Sequence, residues 1–469
     1  MSAETASALD SICGPTATPN SVAAPKVSAG SIGIAPILVL LLIGLSPFWQ
    51  TVAMNTGFFG DDALCITNLL SVSTFCVFLL AMPKVLRPPD RLGTTAMILF
   101  LCYLLVFAVA FARSLPSLER YSAIDPDIST NIRTYTDREL VVRSLMAMQF
   151  LYVLTMFRTK DMLQRLFTVM SASLFVLSCI VIVAVLSDPA VLSTPERSGM
   201  TKLTESILGI HYNGASAPYA IAAPLLAFMA IKRGGFWTLN YLLALVSALF
   251  LESRTALMLF VGMSVVALIV CGRARALVAA VPLISVVGLS ALGPILFAIL
   301  SQGFTAHSGF SMYLFLSGRD QSIWLPLIIE WWSDPSRFWF GAGEHGMLSS
   351  DMLLTGRMLA VAVAHNAYLE FYLDNGVVGL LGLLAALALL LKWARRTGVQ
   401  IRTQLYWVLF LCFVSFLILG FTGHRFFPDS DNMFVFTLLA AMINVARLKR
   451  ATEQDAGRPS MIASAAKRQ

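Results

Sequence analysis

Charge is scarce in this sequence: Asp, Glu, Lys and Arg together supply only 13% of the 469 residues, about half the usual share of soluble domains. A soluble chain of this length would split into several cores and cover them with charge, and this one has too little charge to do so. Cysteine chemistry is thin as well. Cys13, Cys65, Cys76, Cys102, Cys179, Cys271 and Cys412 form no CxxC pair, and most stand inside apolar runs, where a thiol packs as a small hydrophobe. That pattern implies neither a disulfide framework nor a metal site built on cysteine. Also missing is a basic face interleaved with aromatic residues, so the formal net charge of +7 does not point to nucleic acid. Residues 1–31 carry Lys26 as their single cation. They hold no basic region next to the first apolar run, which itself has no clear small-residue cleavage site behind it, so the tail reads as disordered and the run as a retained helix rather than a signal peptide. The polar tail after Arg450 reads as disordered too.

What the chain has instead is apolar length, at 57% hydrophobic residues. Crossing a bilayer takes about 20 apolar residues in a helix, because the backbone must satisfy its own hydrogen bonds there. Roughly twelve runs meet that demand, at 32–50, 63–82, 92–112, 140–157, 162–186, 214–231, 236–251, 255–271, 276–300, 375–391, 404–422 and 432–446. Arg143 near the start of the fourth run weakens that assignment. The expected fold is all-α: a polytopic integral membrane protein. Its parts are a cytoplasmic tail (1–31), nine spans (32–300), an external loop (301–374), three more spans (375–446) and a second cytoplasmic tail (447–469).

The cations set the direction. Lys84, Arg87 and Arg91; Arg158, Lys160 and Arg165; Lys232 and Arg233; Arg273 and Arg275; Lys392, Arg395, Arg396 and Arg402; and Arg447, Lys449 and Arg450 all flank alternate connections. Those connections face the cytoplasm by the positive-inside rule. An even number of spans and this bias agree on two cytoplasmic termini. Three longer segments then fall outside, at 113–139, 187–213 and 301–375. A connection as long as the last, neither charge-rich nor of low complexity, marks a functional segment. Its Trp324, Trp331, Trp332 and Trp339 predict short helices lying on the outer interface, with the tryptophans as belt residues rather than sugar platforms.

Within that segment, residues 363–375 predict a short helix ended by Asp374-Asn375-Gly376, since glycine suits the backbone just past a helix end. His365 falls at the N-terminal end of this helix, where the dipole disfavours an imidazolium and keeps the ring ready to accept a proton. Glu370 reads as a structural or orienting partner, because no glycosidase-like pair of carboxylates is visible.

Four stretches occur in order: Glu252-Ser253-Arg254-Thr255, Gly318-Arg319 with Trp324, Gly341-Ala342-Gly343-Glu344, and His365-Asn366-Ala367-Tyr368-Leu369 followed by Asn375-Gly376-Val377-Val378-Gly379-Leu380. Together they resemble the O-antigen ligase and Wzy-type polysaccharide polymerase superfamily, over residues 250–385. Each motif alone is weak; their order around one large outer segment is more specific. The resemblance implies cofactor-free, metal-independent, inverting glycosyl transfer on the periplasmic side of a bacterial inner membrane. The donor would be a polyprenyl-diphosphate-linked oligosaccharide and the acceptor a glycan hydroxyl. It assigns Arg254 and Arg319 to the diphosphate and His365 to catalysis, with Asn366 and Tyr368 of the same motif as substrate contacts. A chain-length regulator and a flippase would be partners. Elementary chemistry agrees: guanidinium forks clamp a leaving diphosphate, and histidine suits general-base work near neutral pH.

Two further sites stay open. In Gly209-Ile210-His211-Tyr212-Asn213, either His211 or Asn213 contacts sugar or phosphate, or both simply face water. His424-Arg425 either faces the site or snorkels to headgroups. Polymerase and ligase share these motifs, and a transporter or flippase is the competing class, although no internal duplication is visible.

Overall fold

The computed structural model describes residues 33–48, 66–85, 91–117, 143–189, 191, 198–208, 211–251, 253–272, 320–358, 364–423, 426–427 and 432–457. Among them all regular structure is helical. Five helices are long and apolar enough to cross a membrane: Leu92–Ser114, Lys160–Ser187, Tyr212–Arg233, Ala367–Ile401 and Gln404–Thr422. Each predicted run coincides with a helix except that at 276–300, which lies outside the described residues, as does the N-terminal tail 1–31. The tail expected to be disordered after Arg450 instead continues as helix to Gly457, where Lys449 pairs with Glu453 one turn on at 3.8 Å.

The helices are α1 (Ile34–Leu45), α2 (Ile66–Val85), α3 (Arg91–Ser114), α4 (Arg143–Ala147), α5 (Gln149–Met156), α6 (Lys160–Ser187), α7 (Ser198–Leu208), α8 (Tyr212–Arg233), α9 (Phe236–Phe250) and α10 (Arg254–Val270). After them come α11 (Leu325–Ser333), α12 (Pro335–Phe340), α13 (Asp351–Leu354), α14 (Ala367–Ile401), α15 (Gln404–Leu419) and α16 (Met433–Gly457). Helices α4 and α5 are nearly continuous, since Met148 between them donates to Ser144 O and accepts from Tyr152 N. The doubtful run with Arg143 is therefore helical.

At the centre stands α8, whose first turns Gly214-Ala215-Ser216-Ala217 are all buried. Small residues let helix backbones approach where lipid offers no hydrophobic drive for association. Around α8 pack α9, α10 and α15. The long helix α14 is the opposite case: Val378, Leu381, Leu384 and Leu389 are exposed along it, an apolar face suited to lipid.

Buried polar side chains report the helix directions. Asn240 Nδ2 donates to Ser171 O at 2.8 Å and Ser247 Oγ to Ser178 O at 3.3 Å, both 69 positions apart, so α6 and α9 run parallel. Thr437 Oγ1 donates to Gln149 Oε1, Asn444 Nδ2 to Val153 O and Arg447 Nη1 to Leu154 O. The order ascends along both helices, and α5 and α16 are parallel too. Charge alternation predicts the same relative direction for both pairs.

Direct bonds bring the end of α3, the starts of α4 and α14 and the end of α15 to one face of the bundle, while the short connections on either side of α9 set the starts of α8 and α10 on the side of its end.

Candidate functional site

The shared face is organised around the kink in α14. Residues 367–375 form a short helix, Gly376 breaks it with φ 67° and ψ −171°, and the apolar helix resumes at 377. The Asp374-Asn375-Gly376 stop read from the sequence is thus present. Only glycine fits there: a Cβ on Gly376 would lie 2.3 Å from the carbonyl of Trp339, and one on Gly341 would lie 2.4 Å from Asn375 N. Two glycine backbones pass at contact distance because neither carries a side chain.

The strand of chain from 341 to 346 is stitched onto this kink. Ala342 N donates to Leu373 O, Gly343 N to Asp374 O and Glu344 N to Ala110 O. Gly346 N donates to Asp374 Oδ1 at 2.8 Å. From the end of α3, Arg113 donates through Nη1 to Phe340 O and through Nη2 to Gly341 O. These bonds fix the predicted Gly-x-Gly turn against two membrane-length helices.

Below the turn, Glu344 is 1% exposed and pairs with Arg143 at 3.0 Å. The sequence offered Arg143 only as an obstacle to a span; the fold makes it the buried counter-ion of a carboxylate far along the chain. An uncompensated buried charge costs several kcal/mol, roughly 3–5 by the loss of one partner, so this pair ties α4 to the 341–346 turn. Beside it, Glu344, His345, Glu370 and Asp374 meet Phe371 and Phe427 around a small cavity. Among the described residues no group of three or more His, Cys, Asp or Glu side chains is placed to hold a metal ion.

His365 stands just ahead of the short helix, at φ 55°. A left-handed backbone at a residue with a Cβ is uncommon and is retained where surroundings enforce it. Asn366 caps the helix, its Oδ1 accepting from Tyr368 N at 3.0 Å and Leu369 N at 3.1 Å. Tyr368 donates its hydroxyl to Leu417 O at 2.9 Å. Both residues expected as substrate contacts thus also serve the fold. Gly423, just past α15, lies against His365; a Cβ built on it would be 3.6 Å from His365 Nδ1.

Arg254 begins α10, and His211 caps α8 by accepting from Asn213 N through Nδ1 at 3.3 Å. Helices α8 and α10 pack on α15, whose end meets His365. Arg319, Glu252, His424 and Arg425 lie outside the described residues.

The tryptophans divide. Trp332 is 71% and Trp339 49% exposed, with aromatic contacts to Phe338. Trp331 is fully buried instead, its indole N–H donating to Leu373 O at 3.1 Å, and Trp324 donates to Ala364 O at 2.7 Å. Neither of these two behaves as a belt residue. The 320–358 segment has a small core of its own, with Ile323, Leu327, Trp331 and Leu348 at its centre. A scan against protein-family models finds no match to this chain, and no curated protein matches it.

Proposed function

We propose that this protein transfers glycan from a polyprenyl-diphosphate-linked saccharide to a sugar hydroxyl, extending a surface polysaccharide by joining lipid-linked repeat units. The work takes place on the periplasmic face of a bacterial inner membrane, with about twelve spans and both termini in the cytoplasm. The observation that carries this reading is an assembly of separate stretches. Trp324, the Gly341-Ala342-Gly343-Glu344 turn, the His365-Asn366-Ala367-Tyr368-Leu369 helix start and the Asn375-Gly376 break are joined by direct contacts along the chain's outer segment.

In this reading the leaving diphosphate takes up negative charge as the bond to the anomeric carbon breaks, and Arg254 and Arg319 receive it with fixed guanidinium donors. His365 takes the proton of the attacking hydroxyl. A neutral ring is required, and its position ahead of a helix N-terminus disfavours the charged form. Direct attack inverts the anomeric centre. No metal is needed, because permanent guanidinium charge fills that role. The external segment 301–374 rests its exposed Trp332 and Trp339 in the interface.

The test is reconstitution. Purified protein in liposomes, given a lipid-linked repeat unit alone, should yield longer lipid-linked products, with chelator making no difference. Product appearing only when a lipid A core acceptor is added would turn the reading to a ligase. Movement of lipid-linked sugar across the bilayer without any new glycosidic bond would overturn it in favour of a flippase.

A further inference from the structure

A left-handed histidine is held in place by its neighbours, and here two side chains bond the backbone N–H and C=O of the residue immediately before it. Ala364 N donates to Glu370 Oε1 at 3.1 Å. Ala364 O accepts from Trp324 Nε1 at 2.7 Å. The two bonds grip opposite ends of one residue, from opposite directions: Glu370 reaches back from the first turns of α14, and Trp324 reaches across from the π-turn at Asp320–Trp324. On the other side of His365, Asn366 is fixed as helix cap. The backbone at φ 55° is therefore clamped before and after, and Gly423 lies alongside, with room for no more than ordinary contact between an added Cβ and the ring.

Such a clamp has a cost that folding alone does not explain. A non-glycine residue in this conformation forfeits roughly 1–3 kcal/mol unless the surroundings impose it, and Ala364 could bond within a regular turn instead. Trp324 is half-buried, so its indole N–H could have been left to water, yet it is committed to Ala364 O. What the arrangement secures is the direction of one imidazole. We infer that Trp324 and Glu370 are positioning residues for His365, acting through the Ala364 peptide to aim the ring at the acceptor hydroxyl. This inference rests on the proposed reaction for its purpose, but the geometry it describes can be tested without any substrate. Glu370 acts on Ala364 as a hydrogen-bond acceptor, and a glutamine at this position keeps an acceptor oxygen.

The experiment uses the full chain in lipid nanodiscs with Trp324→Phe, Glu370→Ala, Glu370→Gln and His365→Ala. The first readout is the rate of carbethoxylation of His365 by diethyl pyrocarbonate as a function of pH, followed by mass spectrometry with His211 as internal reference. Trp324→Phe and Glu370→Ala should shift that profile, and Glu370→Gln should restore it. The second readout is turnover on a lipid-linked repeat unit. Here Trp324→Phe and Glu370→Ala should lower kcat on the order of tenfold to a hundredfold, as ångström-scale misplacement does, with KM unchanged, while Glu370→Gln recovers most of what Glu370→Ala loses. Wild-type labelling and wild-type kcat in both Trp324→Phe and Glu370→Ala would overturn the inference, as would a Glu370→Gln variant as impaired as Glu370→Ala. Undiminished product from His365→Ala would instead sink the proposed reaction, and the labelling profiles would still decide the positioning.

Discussion

Arg143 and Glu344, 201 positions apart in the chain, meet in an ion pair of 3.0 Å inside the protein. One stands at the start of α4 and the other in the turn that lies on the kink of α14, so the pair connects the early helices to the segment carrying the candidate site. His345 follows directly, with Nε2 4.0 Å from the same carboxylate.

Removing one member of that pair strands the other in a low-dielectric interior. Arg143→Met or Glu344→Leu alone is expected to destabilise by roughly 3–5 kcal/mol, whereas the two together should recover most of the loss, because a fitted apolar pair avoids the desolvation penalty. Thermal unfolding in detergent, arranged as a double-mutant cycle, reads this out. Equal stability of all four proteins would contradict the burial of the pair.

The glycine contact at the kink gives a sharper expectation. Gly376→Ala and Gly341→Ala each combine a positive φ with a Cβ within 2.4 Å of backbone atoms, so both should lose more than ~1–3 kcal/mol and accumulate poorly in membranes. Gly382→Ala, six residues beyond the kink, has nothing within 4 Å of its new Cβ and should be tolerated or slightly stabilising, as alanine is in a helix interior. Equal yields of the three variants would show that the backbones do not touch.

For the reaction itself, His365→Ala should abolish product while the protein still inserts, and Arg254→Lys should cut the rate severely, since an ammonium lacks the planar fork. Turnover should fall as pH drops, because the base form of imidazole is lost when the ring gains a proton, and recover as pH rises past the histidine range. Rates measured from pH 5 to 8 that are flat, or that rise toward acid, would remove His365 as base.

Orientation can be checked by single cysteines in a cysteine-free background. Exposed positions 205 and 355, on α7 and after α13, should react with an impermeant maleimide from the periplasmic side, and position 402, between α14 and α15, only after the inner membrane is opened. The reverse pattern would place the site in the cytoplasm and end the proposed function.

Much of this molecule was legible one segment at a time. Hydropathy over about 20 residues locates a span because a bilayer imposes that length on any helix, and the predicted runs within the described residues are helices. The break at Gly376 was readable because glycine acts on the backbone beside it, but the helix expected from 363 starts only at Ala367, behind an Asn366 cap that leaves His365 outside it. Tryptophan shows where such reading stops. Trp331, Trp332 and Trp339 look alike in sequence, yet α11 buries the first and exposes the second, since neighbouring positions on a helix face different surroundings.

By itself, then, the sequence determined the helical class, the apolar runs that became helices and the stop at Gly376, all consequences of forces that act within a few turns of chain. Only the tertiary structure decided that Arg143 answers Glu344, that Trp324 and Glu370 hold the peptide before His365, and that the 341–346 turn lies on Gly376. Those depend on which helix ends arrive together, and a buried charge or indole takes whichever partner packing brings within reach. Nothing in the residues adjacent to Arg143 names a carboxylate two hundred positions away.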